Sequence, residues 1–213
     1  MFQIGIITSP RKDPTLNSML TSLRKVGYKE KVFIYSEPQE LTVKDQNVEI
    51  KMNDKQLGCF GNFNNALNDL IKVSPHEFIC VFSDDFIFSS RMFSWIRHSW
   101  DGYYALYTPK GIRNQFQMKR GWNKINEGWA NTWGGNYMMC KAVAEMIIKH
   151  PFYQDHLKNY ETNQQIDHCI PEVCHQLKLN QYFHNPSLTN HIGIESTIGH
   201  KHSTHEEGLN FRK

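Results

Sequence analysis

The sequence predicts an α/β fold with a mostly parallel central sheet flanked by helices. Three observations lead there. Short, nearly continuous apolar runs recur at residues 3–8, 32–35 and 78–82, as expected of strands buried on both faces. Between them lie stretches whose apolar residues repeat at helical spacing: Leu16, Met19, Leu20, Leu23 and Val26, then Phe63, Ala66, Leu67, Leu70 and Ile71. Strands that alternate with helices in this way build a parallel, doubly wound sheet.

Residues 3–8 read as the first strand and residues 9–14 as a turn. Asp13 is placed to cap the following helix, with Pro14 at its favoured first position, and Gly27 ends that helix. Residues 32–35 form the second strand and residues 48–50 a weaker third, before the helix that leads into the strand at 78–82. The second half is less regular. A strand is expected at 103–108, a polar stretch at 109–127, an aromatic and glycine-rich stretch at 128–136, helices at 142–148 and 164–177, a last strand at 179–184, and an irregular tail. No repeat, low-complexity tract or linker divides the chain, so residues 1–213 are expected to form one domain.

The chain carries 39% hydrophobic and 21% charged residues, which fits a folded domain rather than a disordered one. A net charge of +3 allows an anionic substrate without implying nucleic acid. No stretch approaches a membrane span and the start lacks a signal-peptide pattern, so no membrane partner and a cytoplasmic location are expected (the host cytoplasm for a phage-encoded chain). The five cysteines are scattered in mainly apolar segments and read as small buried hydrophobes. Cys169 and Cys174, flanked by His168 and His175, lack zinc-type pairing.

The chemistry is expected where the strand at 78–82 runs into Ser83-Asp84-Asp85. Adjacent carboxylates at a strand end repel, and a cation or several donors must neutralise them. The bland alternative is a solvated turn. A hard divalent ion, Mn²⁺ or Mg²⁺, that also holds a diphosphate would meet the requirement. Open α/β sheets bind ligands at this rim, where Thr8, Ser9, Arg11 and Glu37 also belong.

Four segments, in one order, together resemble a GT-A-fold glycosyltransferase. They are residues 8–16 with 22–27 behind them, residues 58–67, Ser83-Asp84-Asp85, and residues 185–197. The last, with Pro186-Ser187-Leu188, His191-Ile192-Gly193 and Ser196-Thr197, is similar to the signature of N-acetylglucosaminyltransferase IV-like enzymes and their small bacterial and phage relatives. The resemblance implies a metal-dependent inverting transferase that uses a nucleotide-sugar donor, UDP-linked. Residues 1–88 would then form the donor half and residues 89–213 the acceptor half with the tail.

Residue by residue, the resemblance makes Asp85 and His191 metal ligands, with His200 and His202 as rivals of His191. Asp84 would contact the ribose or a metal-bound water, and Ser83 stands where the family often has a further acid. Thr8, Ser9, Arg11, Glu37, Asn62 and Asn65 would face the donor. Arg11 would pair with phosphate and Glu37 with a nucleobase or ribose. Trp133-Gly134-Gly135-Asn136 resembles the loop lining the donor and acceptor cleft. Asp167 would be the catalytic base, with Glu172 as fallback; otherwise Asp167 is a helix N-terminal acid held by the dipole.

For the acceptor, Lys110, Arg113, Lys119, Arg120 and Lys124 are interleaved with Phe116 and Trp122 and lack an intervening acid. Basic residues with aromatics suit phosphates and a stacked, flipped base. The expected acceptor is a hydroxymethylated pyrimidine in phage DNA. A glycan or protein acceptor is the alternative, as is a non-catalytic nucleic-acid or sugar-nucleotide binding module.

Overall fold

In the computed structural model β1 (Phe2–Thr8), the first apolar run, is buried along its whole length and forms the axis of the sheet. Residues 2–96, 101–110, 112, 116–125, 136–159, 165–193, 208 and 210–211 are described. After β1 come α1 (Leu16–Lys25), β2 (Val32–Ser36), β3 (Val48–Met52), α2 (Gly58–Val73), β4 (Phe78–Ser83), β5 (Phe86–Phe88), α3 (Met92–Trp95), β6 (Gly102–Ala105), β7 (Gly121–Ile125) and β8 (Tyr137–Cys140). The chain continues through α4 (Lys141–Lys149), α5 (Pro151–Lys158), α6 (Ile166–Gln176), β9 (Asn180–Asn185) and β10 (Thr189–His191).

The described strands form an eight-stranded sheet in the order β3-β2-β1-β4-β8-β6-β9-β7. The pairs β2·β3, β1·β2, β1·β4 and β6·β9 are parallel, whereas β4·β8, β6·β8 and β7·β9 are antiparallel. The expected mostly parallel sheet is therefore present, with β8 inserted against the main direction. From β1 the chain winds outward to β2 and β3, then returns to place β4 on the other side of β1. That reversal puts the topological switch point beyond the carboxyl ends of β1 and β4, where α/β folds bind ligands. Register matters here: Thr8 pairs with Ser36, and Ile7 with Ser83, so Thr8 and Asp84 stand at the same level.

α1 buries Leu16, Met19, Leu20 and Leu23, and α2 lays Phe60, Phe63, Ala66, Leu67 and Leu70 onto the sheet. The cap of α1 differs from expectation. Its N-cap is Thr15, whose carbonyl accepts from Met19, so Asp13 and Pro14 precede the helix. α5 and strands β5, β7, β8 and β10 were not expected. β5 and β10 form a separate antiparallel ribbon, pairing Phe88 with Thr189 and Phe86 with His191. Among the described residues no helix is long and apolar enough to cross a membrane. Cys80, Cys140, Cys169 and Cys174 are buried and all five cysteines are free, as expected.

Candidate active site

The Asp84-Asp85 turn joins β4 to β5, and both residues are buried. Two desolvated carboxylates in sequence must be compensated. Three elements do so. From the end of β1, the Thr8 hydroxyl donates to Asp84 Oδ2 at 2.5 Å. From the β1–α1 turn, Arg11 spans the pair, with Nη2 2.6 Å from Asp84 Oδ1 and Nη1 3.0 Å from Asp85 Oδ2. From β10, His191 Nε2 lies 3.1 Å from the same Asp85 Oδ2. Breaking a buried ion pair of this kind typically costs about 3–5 kcal/mol. The cluster therefore contributes to the fold as well as forming a site.

The Pro-Ser-Leu…His-Ile-Gly signature can be read physically. The Ser187 hydroxyl accepts from the Thr108 N–H at 2.9 Å and donates to the Thr189 carbonyl at 2.7 Å. The Leu188 and Thr189 N–H groups both donate to the Leu106 carbonyl. These bonds fix the start of β10, and the β5 ribbon then delivers His191 edge-on to the Phe86 ring at 5.0 Å. The Ile192 N–H donates to the Asp85 carbonyl at 2.7 Å. Gly193 follows, packed so closely that an added Cβ would lie 2.8 Å from Asp85 Oδ2 and 3.0 Å from Asp85 Cβ. Gly193→Ala is therefore expected to push the Asp85 carboxylate out of place. The expected stability loss is about 1–3 kcal/mol, read from thermal melts of the variant beside wild type.

The electrostatics separate the two acids. Asp84 is pushed up to about 6, chiefly by burial and then by the Asp85 charge, against Arg11 and Thr8. Burial acts on Asp85 too, but His191 and Arg11 outweigh it and hold Asp85 below the usual carboxylate range. Arg11 is disfavoured by burial, yet Asp85 and Asp84 keep it charged. A raised carboxyl binds its proton first in the folded chain, so stability grows as pH falls through about 6 toward the ordinary carboxylate value, by roughly 3 kcal/mol at full conversion. Asp85 works in the opposite sense: its contribution is present above the ordinary carboxylate value and is lost as pH falls further. Metal-free protein is expected to melt higher near pH 5 than near pH 7.5 through this effect. Asp84→Asn should remove that difference in melts run with chelator; an unchanged profile would place the titration elsewhere.

The fold was compared with solved structures. The chain aligns with the crystal structure of GalNAc-T7 with UDP, GalNAc and Mn²⁺ at a TM-score of 0.61 and 8% identity. The match covers 90% of this chain and 44% of that one, so the chain spans less than half of GalNAc-T7. It also aligns with the galactosyltransferase LgtC in complex with donor and acceptor sugar analogs, at a TM-score of 0.50 and 9% identity, covering 84% of this chain and 71% of that one. The chain has the GT-A fold. No protein-family model matches it, and a search of curated proteins finds no significant match.

Within the GT-A fold, the residues expected at the site separate into two groups. Thr8, Arg11, Asp84, Asp85 and His191 converge, and half-buried Ser9 follows Thr8. Asp167 lies in the first turn of α6, as expected of a helix N-terminal acid. Its charge is felt at the Cys59 thiol together with those of Asp85, Arg11 and Asp84, on top of the burial that pushes Cys59 up to about 12. The charges of Asp167 and of the acidic pair thus both reach the start of α2. Glu172 is five residues further along α6, which turns it to another face, and it accepts from Gln176.

Glu37, Asn62 and Asn65 have structural partners. The Glu37 carboxylate accepts from the Leu57 N–H at 2.8 Å, at the start of α2, and burial raises its pKa against the Leu57 and Gly58 amides. One oxygen of this strand-end acid thus meets the start of α2, while Oε1 is buried without a hydrogen-bond partner among the described residues. Buried Asn62 donates to the carbonyls of Thr8 and Tyr35 and accepts from Asn53, while Asn65 donates to Asn53. These bonds tie the β1 and β2 ends to α2. Asn136 is buried, its Nδ2 donates to Thr189 Oγ1 at 3.4 Å, and its Oδ1 has no partner. Trp133, Gly134, Gly135, Arg113, His200 and His202 lie outside the described residues.

The expected base-stacking residues of the basic segment are packed instead. Trp122 sits in β7 against Tyr104 and His184, with Nε1 donating to the Trp95 carbonyl. Phe116 packs on the core. Lys110, Lys119, Arg120 and Lys124 are exposed.

The donor set suits a hard divalent ion. Among the described residues Asp85 Oδ1 is buried without a hydrogen-bond partner, and an imidazole shares the other oxygen. Among the described residues no three His, Cys, Asp or Glu side chains converge as a complete metal site. Mg²⁺ and ions like it need only one or two carboxylates, because phosphate and water supply the other ligands. Asp85 and His191, with Asp84 beside them, meet that need. Sequence reading missed Gly193 as part of the site: the glycine was visible in the signature, but its neighbour was not.

Proposed function

We propose that the chain is a metal-dependent inverting glycosyltransferase that moves a sugar from a UDP-sugar to a hydroxyl acceptor. The observation that carries this reading is the Thr8–Arg11–Asp84–Asp85–His191 cluster, set at the switch point of a GT-A sheet. The neighbour crystallised with UDP, GalNAc and Mn²⁺ supports the donor and metal classes. The 185–197 signature supports kinship with N-acetylglucosaminyltransferase IV-like enzymes and their small bacterial and phage relatives.

Asp85 and His191 would hold a Mn²⁺ or Mg²⁺ ion, and Asp84 would sit behind them on Thr8. When bound, the ion offsets the charge that develops on the departing diphosphate. Residues 1–88 bind the donor at the switch point beyond β1 and β4, and residues 89–213 supply His191, Asp167 and the acceptor side. Asp167 takes the acceptor proton, which requires a carboxylate within hydrogen-bond reach of the attacking hydroxyl.

For the acceptor, a glycan hydroxyl is favoured over a hydroxymethylated pyrimidine in DNA. Trp122 and Phe116, the aromatics expected to stack a base, are engaged in packing, and LgtC is a complex with acceptor sugar analogs. Mass spectrometry of products, after incubation with Mn²⁺, a panel of nucleotide sugars and both acceptor classes, tests the reading. Transfer to a glycan supports it, and transfer to modified DNA alone reassigns the acceptor. No metal-dependent transfer or donor hydrolysis would leave a non-catalytic binding module.

A further inference from the structure

We propose that Arg11 is the resident cation of the donor site, exchanged for the divalent ion when the nucleotide sugar binds. The inference rests on the donor-site reading above and adds a coupling between metal and nucleotide that the site residues alone do not specify.

The guanidinium holds the carboxylates that an ion would need. Its two Nη atoms lie 2.6 Å from Asp84 Oδ1 and 3.0 Å from Asp85 Oδ2, so the planar fork bridges both carboxylates. The Arg11 side chain is only 12% exposed, and those of Asp84 and Asp85 are 2% and 10% exposed. A divalent ion added while the guanidinium stayed would make this desolvated cluster net positive, with like charges in contact. One cation has to leave.

Among the described residues, three buried atoms of the cluster lack a hydrogen-bond partner: Asp85 Oδ1, Arg11 Nε, and Asp84 Oδ1, which meets Arg11 Nη2 as an ion pair. An unsatisfied acceptor and an unsatisfied cationic donor in one ion cluster call for an explanation. A cation that takes Asp85 Oδ1 and an anion that takes the Arg11 guanidinium would satisfy both. A metal-bound diphosphate brings the two charges together. Arg11 is also carried on residues 9–15, which form neither helix nor strand, so its departure need not break a regular element.

In the absence of nucleotide, the ion must displace Arg11 and leave the guanidinium without a counter-charge. With nucleotide, the diphosphate receives it through charge-assisted hydrogen bonds. Metal and donor therefore bind cooperatively, each raising the affinity of the other by the same factor.

The test follows free Mn²⁺ by electron paramagnetic resonance during titration into wild-type protein and Arg11→Gln, first without nucleotide and then with UDP. Without UDP, Arg11→Gln is expected to bind Mn²⁺ about tenfold more tightly than wild type, within the usual range of coupling between sites. With UDP the advantage should vanish or reverse, because the variant lacks the diphosphate's partner. Arg11→Gln binding Mn²⁺ no more tightly than wild type without UDP overturns the exchange. Thermal melts give a second readout: Mn²⁺ alone should raise the Tm of Arg11→Gln more than that of wild type, and equal shifts overturn the proposal. If Arg11→Gln does not fold, Arg11→Met takes its place, since it keeps an apolar stem and removes the charge. Arg11→Met binding Mn²⁺ no more tightly than wild type is then the overturning result. If wild type and variant both fail to bind Mn²⁺ even with UDP, the donor-site reading falls, and the exchange with it.

Discussion

Asp85→Asn is expected to lower kcat/KM for metal-supported sugar transfer by about a thousandfold, the scale seen when preorganised electrostatic stabilisation of a leaving group is lost. The effect is large because Asp85 is where three elements meet. Arg11 from the β1–α1 turn and His191 from β10 both reach its Oδ2, and Gly193 packs against its side chain. An amide keeps the size but loses the charge that compensates Arg11 and would hold the ion. The variant also loses part of the buried ion cluster, so its stability is expected to fall by up to about 3–5 kcal/mol, although Asp84 still pairs with Arg11 at 2.6 Å. Steady-state kinetics with Mn²⁺ varied, alongside a thermal melt, separate the two effects. Near-normal kcat/KM in a folded Asp85→Asn protein would remove Asp85 from the metal role.

Asp167→Asn is expected to behave differently: UDP-sugar binding within about twofold of wild type, and transfer reduced by about 10²–10⁴-fold, the usual contribution of a positioned base. Asp167 sits in the first turn of α6, and its charge reaches the Cys59 thiol together with those of Asp84, Asp85 and Arg11. None of the donor-cluster bonds runs through Asp167, so its loss should not disturb the Asp84-Asp85 pair. Rapid-quench measurement of the first turnover, combined with donor titration, checks the split. Wild-type transfer rates in Asp167→Asn would leave Asp167 as a helix N-terminal acid, which is its plain structural role.

The contrast between these acids and Glu37 shows what a sequence can reveal. β1, α1, β2, α2 and β4 were legible because each buries a continuous or periodic apolar face against the same core. The Asp84-Asp85 turn was legible because charge at the end of such a strand stands out. Glu37 has the same signal at the end of β2, yet its carboxylate accepts from Leu57. Which partner captures a strand-end acid depends on a contact twenty positions away, and no local pattern encodes it.

The same reason explains Arg11. Its type suggested phosphate, and the structure places it on two carboxylates some 74 positions distant, an arrangement set by the β1·β4 register. β10 was read as irregular tail because its three residues are polar and pair only with β5, about a hundred residues earlier. β7 was hidden in a polar stretch, where Trp122 looked like a stacking platform rather than an inward-packed strand residue. Short strands whose partners are remote carry no periodicity long enough to read. His191 was recoverable only through the signature around it. The bonds of Ser187, Leu188 and Ile192 supply the physical reason for that signature.

On the proposed reading, the site at the β1 and β4 ends binds a nucleotide diphosphate through a divalent ion held at Asp85 and His191. Isothermal titration of UDP into the wild-type protein, with Mn²⁺ and again with chelator, tests it most directly. The account predicts saturable binding with Mn²⁺, loss of that binding with chelator, and the same loss in Asp85→Asn. UDP binding of equal affinity with and without the metal, or its persistence in Asp85→Asn, would contradict it.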